Sequence, residues 1–204
     1  MARIGVLVNP DAGLGGRLGF KGSDGRADEA RSSGAKDRAG PRMMEAIKHI
    51  FNLIQSKKCL EFDLFVCGGK MGSDWIKEIP FPNLKVIGDW QGKTSAKDTT
   101  LAVKLLLEED VDLIMYAGGD GTTRDIIETL ESLESLELPL IGVPSGVKMY
   151  SGCFAEDTLA AAEVLAAWIN GDLGFSTTEV LDMDEESYRL GEWKIDMFGQ
   201  AITP

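Results

Sequence analysis

The stretch "MYAGGDGTTRDII" (residues 115–127) sets one carboxylate, Asp120, among Gly118, Gly119 and Gly121, directly after an apolar run. Glycine lets a ligand lie against bare backbone, and a helix beginning here would add partial positive charge suited to phosphate. Thr122 and Thr123 can cap that helix or bind phosphate oxygens. A carboxylate beside phosphates has two chemical uses: to take a proton from an attacking hydroxyl, or to hold Mg²⁺. The plain alternative is a tight turn with Asp120 as a solvated turn residue.

Other stretches bear on the same chemistry. In "NPDAGLGGRLGFKGSDG" (9–25), Asn9 and Pro10 end an apolar run, the glycines can present N–H groups to an anion, and Lys21 can add charge. Its "GLGGRLG" is not a dinucleotide fingerprint, because the third glycine position falls on Leu18. "GVPSGVKMYSG" (142–152) supplies Ser145, Gly146 and the cation Lys148 at another run's end. "GDWQGKTS" (88–95) imitates a P-loop but has one residue too few between Gly88 and Gly92-Lys93. Ser95 with Asp98 three residues on reads instead as a capping box. Asp182, Asp184, Glu185 and Glu186 read as a solvated acidic turn rather than a metal site.

These residues need elements to position them. Apolar runs at 3–9, 62–67, 84–88, 112–118 and 138–143 read as strands buried on both faces. Helical patterns at 42–56, 95–110, 123–133 and 156–171 alternate with them, and 72–79 adds a short helix. The expected fold is α/β, a mostly parallel, doubly wound, Rossmann-like sheet with helices on both faces. Ligands of such sheets sit outside the carboxyl ends of the strands. Four of the five strand ends here carry glycine clusters, more than packing alone would ask for. Residues 11–40 read as a long connection without periodicity, functional or disordered. After Gly174 a β-type alternation begins, in "STTEVLDM" and "WKIDMFGQAIT". The expected organisation is an α/β nucleotide-binding domain at 1–174 and the start of a truncated β-rich domain at 175–204.

Composition narrows the partners. The net charge is −12, from 33 acidic and 21 basic residues, which disfavours nucleic acid and anionic membrane. A small anion can still bind where backbone amides or local cations make the site. The N-terminal apolar run is too short for a signal peptide, and no run reaches the roughly 18 apolar residues of a membrane span. Cys59, Cys67 and Cys153 have no metal-ligand spacing and read as reduced thiols of a cytoplasmic protein. The single histidine, His49, lies in a helical pattern far from any good nucleophile.

As a set, "VNPDAG", "GGDGT" and "GVPSGVKMYSG" resemble the ATP-NAD kinase family, in the superfamily that also holds diacylglycerol kinases and 6-phosphofructokinases. "LVNPDAGLGGRLGFKGSDG" and "GGDGTTRDI…GVPSGVKMYSGCFA" resemble more closely its branch of predicted ATP- or polyphosphate-dependent NAD kinases, which includes the acetoin-catabolism X protein. The resemblance covers essentially the whole chain. It implies a phosphotransferase taking ATP or polyphosphate as donor, with Mg²⁺ or another divalent cation, and NAD as the expected acceptor through its adenosine 2′-hydroxyl. It implies Asp120 as general base, Gly118, Gly119, Gly121 and Thr122 as the loop for nucleotide phosphates, and Asn9 and Pro10 as its border. Lys21, Asp24, Ser145, Gly146 and Lys148 match the branch's own motifs without an assigned role. A homo-oligomer is expected. Two departures bear on the acceptor: the family's Asn-Glu pair that helps hold NAD occurs nowhere in this sequence, and its second, β-rich domain is nearly absent. A kinase for another hydroxyl and a non-catalytic nucleotide-binding protein are the alternatives.

Overall fold

The structure is a computed structural model and describes residues 1–14, 27–146, 149–183 and 195–204. Five strands form a parallel sheet: β1 (Arg3–Val8), β2 (Asp63–Cys67), β3 (Leu84–Ile87), β4 (Leu113–Gly118) and β5 (Leu140–Pro144), in the order β3-β2-β1-β4-β5. The intervening helices are α1 (Ala27–Ser32), α2 (Ala39–Gln55), α3 (Ser73–Ile76), α4 (Ala96–Glu108), α5 (Asp120–Ser132) and α6 (Thr158–Ile169). This is the expected doubly wound, Rossmann-like α/β architecture.

Alternation along each strand divides the interior into two cores. Ile4, Val6 and Val8 of β1, with Leu113, Met115 and Ala117 of β4, face α2 and α6. Leu7, Ile114 and Tyr116 face α4 and α5. The first core is dense with the stripe Met43, Ala46, Ile47, Ile50 of α2, which recurs at helical spacing and packs on Ala161, Ala162 and Leu165 of α6. His49 makes no catalytic pair: its Nε2 lies 2.8 Å from Glu163 of α6.

Two readings are corrected. The 11–40 segment is not without periodic structure, since it holds α1 and the first two residues of α2. Proline at position 41 does not prevent that start, because the first turn of a helix has no use for its missing N–H. And β3 is not buried on both faces: it is an edge strand, with Val86 half exposed.

After α6, β6 (Ser176–Met183) and β7 (Ile195–Thr203) pair as an antiparallel ribbon, where the alternation predicted strands. The ribbon packs on α5 and places Val180 and Ala201 in the second core. Among the described residues no helix is long and apolar enough to cross a membrane.

Candidate functional site

The chain runs β1 to β2 to β3 toward one edge of the sheet, then returns to place β4 on the other side of β1. The strand order therefore reverses between β1 and β4, and in open α/β sheets the ligand crevice is expected outside the carboxyl ends at such a reversal. Asn9 leaves β1 there and Gly118 to Thr122 leave β4. The two ends are tied together: the Asn9 N–H donates to Ala117 O at 2.9 Å, and Asn9 Nδ2 donates to Thr122 Oγ1 at 2.9 Å. Asn9 Oδ1 also takes the Asp11 N–H at 3.1 Å, turning the chain at buried Pro10. β5 joins on the other side, with the Ser145 N–H donating to Gly118 O at 3.0 Å.

The strand β4 passes into α5 almost without a loop. Gly119 is the extended residue just before the helix, and Asp120 is its first residue. The first N–H groups of a helix have no intrahelical acceptor, and among the described residues no side chain caps this end. Both threonines point inward instead of capping. Thr122 takes the Asn9 amide, and Thr123, fully buried, donates to Gly119 O at 3.2 Å and bonds the Tyr116 hydroxyl.

The three glycines around Asp120 differ in why they are glycine. At Gly118 a Cβ would lie 2.6 Å from Thr122 Oγ1, so the strand-to-helix turn requires it. At Gly119 and Gly121 a Cβ would meet nothing within 4 Å, and neither residue has positive φ. Open space above an uncapped helix N-terminus is where an anion fits. The glycines after β2 have ordinary packing reasons, correcting the expectation that all the clusters share one purpose. Gly68 and Gly69 lie against the backbone of Gly88 and Trp90, and Gly72 against Cys67 O. Gly13 has φ +77° and packs on Ser145 O. Gly92 also meets open space, but the helix after it is capped by its own Asp98, whose Oδ2 takes the Ser95 N–H and hydroxyl at 2.8 Å each. The P-loop imitation is thus a capped helix start.

Asp120 is not a solvated turn residue. It is 7% exposed, and its carboxylate accepts the N–H of Tyr150 on Oδ2 at 2.8 Å and of Ser151 on Oδ1 at 2.9 Å. Tyr150 and Ser151 belong to the segment after β5 and were not among the predicted site residues. They lie at the end of "GVPSGVKMYSG", two and three residues beyond the lysine that drew attention, but contribute through backbone amides, which leave no mark in the sequence. Beneath them, Tyr116 bonds both Thr123 and, at 3.1 Å, Cys153 Sγ. Burial raises the Tyr116 hydroxyl well above its ordinary pKa and also raises the Cys153 thiol, so both stay protonated and act as a fixed brace.

Ser145 is placed at the crevice but fully buried, its hydroxyl donating to Val143 O at 3.2 Å, so its backbone rather than its side chain meets the loops. Gly146 follows it. Lys21, Asp24 and Lys148 lie outside the described residues, as do Asp184, Glu185 and Glu186. Asp182 pairs with Arg124 of α5 at 2.8 Å. Sequence reasoning also passed over Arg31 and Arg42 at this end of the chain. Arg31 donates to Pro10 O at 3.2 Å and pairs with Asp11 at 2.8 Å and Asp37 at 3.2 Å, which balance its charge, and Arg42 donates to Pro144 O. Among the described residues no group of three or more His, Cys, Asp or Glu side chains is arranged to hold a metal ion.

A concavity of about 530 Å³ opens elsewhere, at the amino ends of β4 and β5. Asp112, Glu134 and Glu137 line it, a charge set that repels phosphate, and it shares no residue with the crevice.

No curated protein matches the chain. Among solved structures, a similar one is a diacylglycerol kinase from Bacillus anthracis str. Sterne, with 16% sequence identity and a TM-score of 0.40; the match covers 90% of this chain and 44% of that one. The chain therefore spans less than half the length of that protein. Residues 4–173 match the model of the ATP-NAD kinase N-terminal domain, from β1 past the end of α6. That match takes in the whole parallel sheet and every described residue of the crevice: the chain belongs to the ATP-NAD kinase N-terminal domain family.

Proposed function

We propose that this chain is the nucleotide-binding part of a phosphotransferase that moves a phosphoryl group from ATP or polyphosphate to a hydroxyl, with the 2′-hydroxyl of the adenosine ribose of NAD as the acceptor. One observation carries the reading. Gly119 and Gly121 stand at an uncapped helix N-terminus, at the reversal of strand order, with neither φ nor neighbours requiring glycine. In this reading the donor's phosphates lie on the N–H groups of the first turn of α5, where the helix dipole favours negative charge. Asp120 stands beside them, and each of its oxygens retains a lone pair beyond the amide it accepts. It takes the hydrogen bond, and then the proton, of the acceptor hydroxyl. The hydroxyl oxygen bonds to the terminal phosphorus of the donor, and the bond from that phosphorus to the bridging oxygen breaks, releasing ADP or a shortened polyphosphate.

A divalent ion such as Mg²⁺ would be held chiefly by the donor's phosphates with one or two carboxylates and would offset their charge. Among the described residues no group of three or more His, Cys, Asp or Glu forms a protein cage for it, and no step is routed through it. The family supports a nucleotide substrate; NAD in particular rests on the resemblance, and the absent Asn-Glu pair weighs against it. We take residues 1–174 as the nucleotide-binding domain, which the end of the family match at 173 supports, and 175–204 as a separate β unit that contains the β6–β7 ribbon.

The test is NADP formation from NAD with ATP or with polyphosphate, together with calorimetric binding of ATP, for the wild type and Asp120→Asn. The expected result is turnover by the wild type and a fall of about 100-fold or more in the variant, with ATP affinity within about threefold. Full activity in Asp120→Asn would sink the base. Binding of ATP with no product from NAD by the wild type would favour a nucleotide-binding protein or another acceptor.

A further inference from the structure

The direction of the Asp120 carboxylate is set from outside the loop that carries it. Its two oxygens follow the N–H groups of Tyr150 and Ser151, so they point wherever that segment lies. The segment is stitched to two other elements. Toward the sheet, the Gly142 N–H of β5 donates to Cys153 O at 2.8 Å and the Ala155 N–H donates to Gly142 O at 3.0 Å. Toward the ribbon, the Ser151 hydroxyl donates to Leu181 O at 2.9 Å and accepts the Leu181 N–H at 3.0 Å, satisfying both backbone groups of one β6 residue. The Gly152 N–H adds a bond to Glu179 O at 3.1 Å, and a Cβ on Gly152 would lie 1.9 Å from Thr178 Oγ1, so the chain passes β6 where a side chain would collide with the Thr178 hydroxyl as placed.

Ser151 therefore does two things at once, with its main chain on Asp120 and its side chain on β6. It is 5% exposed, so water does not compete well for either bond. We propose that Ser151 is a positioning residue, whose hydroxyl couples the β6–β7 ribbon to Asp120 so that the seating of the ribbon aims the carboxylate. What Asp120 is aimed at rests on the phosphotransferase reading above; the coupling itself does not. The structure supplies a built-in comparison. Arg124 of α5 pairs with Asp182 of β6 at 2.8 Å and stacks over Phe198 of β7 at 5.4 Å, joining helix and ribbon without touching the carboxylate.

The experiment uses the full chain with Ser151→Ala, Ser151→Cys and Arg124→Gln, and two readouts: steady-state NADP formation from NAD and ATP, and hydrogen exchange of individual amides by NMR. Ser151→Ala is expected to lower kcat about tenfold while KM for ATP moves by less than about twofold, the signature of a misaimed group rather than a lost binding contact. The Tyr150 and Ser151 amides are expected to exchange about tenfold faster, with Ile126 and Ile127 deeper in α5 unchanged. Ser151→Cys keeps the shape, weakens both bonds, and is expected to fall between. Arg124→Gln is expected to leave the two amides protected. Unchanged kcat and unchanged protection in the Ser151 variants overturn the proposal. So does loosening of the two amides by Arg124→Gln as large as that from Ser151→Ala, because general seating of the ribbon would then suffice. If the wild type phosphorylates nothing, the phosphotransferase reading falls, and the exchange readout still decides the coupling.

Discussion

At the scale of single residues, the site turns on a difference between glycines that look alike in sequence. Gly121 sits in the first turn of α5 with open space beside it, where alanine is the better helix former by about 1 kcal/mol. A chain selected for stability alone would have no use for glycine there. Gly121→Ala is therefore expected to raise unfolding stability by about 0.5–1 kcal/mol in urea melts while weakening ATP binding tenfold or more by calorimetry. Gly118→Ala is the counterpart, driving a Cβ to within 2.6 Å of Thr122 Oγ1, and is expected to cost about 1–3 kcal/mol. If Gly121→Ala binds ATP as the wild type does, the open space is not a phosphate seat. The type and position of Asp120 were legible in the sequence; its partners were not. Backbone amides carry no sequence signal, so nothing in "KMYSG" announces that Tyr150 and Ser151 will donate to a carboxylate thirty positions earlier. The same fact complicates Asp120→Asn: one end of the new amide would present N–H groups to another N–H, so donor binding must be measured beside turnover.

At the scale of elements, periodicity served well wherever burial was two-sided. All five parallel strands and four of the predicted helices form within a few residues of their predicted limits, because a run such as "DLIMYAG" has no other way to bury both faces. It served less well at edges and ends. β3 carries the same apolar run but lies at an exposed sheet edge, whereas the other edge strand, β5, is bridged by Phe154 and stays buried; α5 starts three residues early, with two glycines in or beside its first turn. The helix α4 offers the cleanest element-level check. Its N-terminus resembles a P-loop in letters, yet Asp98 closes it by accepting the Ser95 N–H and hydroxyl. Asp98→Ala is expected to destabilise the fold by about 1 kcal/mol and to leave ATP affinity unchanged. A loss of ATP binding in that variant, with the fold intact, would return the 88–95 loop to consideration as a phosphate site.

At the scale of the whole molecule, the titrating groups hidden in the two cores predict how the fold fails in alkali. Cys59 lies in the core under α2 and α6, and its thiol is pushed by burial from 9.0 to about 11. Cys67 and Cys153 lie in the core under α4 and α5 with Tyr116, and burial raises all three. Each is neutral when protonated, so the folded chain holds these protons more tightly than the unfolded one. Below about pH 9 both states keep them and stability does not depend on these groups. Above it the unfolded chain releases protons that the folded chain retains, more protons are bound in the native state, and stability falls as pH rises. For Cys59 the loss begins near pH 9 and levels off above about 11, where folded and unfolded chains have both released the proton. Urea midpoints measured across this interval are expected to decline, and Cys59→Ala, whatever it costs in packing at neutral pH, is expected to decline less steeply. Alkylation by iodoacetamide at mildly alkaline pH supplies the independent check. With all three thiols buried, modification is expected to follow unfolding and to speed up together at the three positions as urea approaches the midpoint. Rapid labelling of Cys153 alone in the native protein would mean that the Tyr116 brace beneath the 118–122 loop opens on its own, and the rigid seating of Asp120 would have to be abandoned.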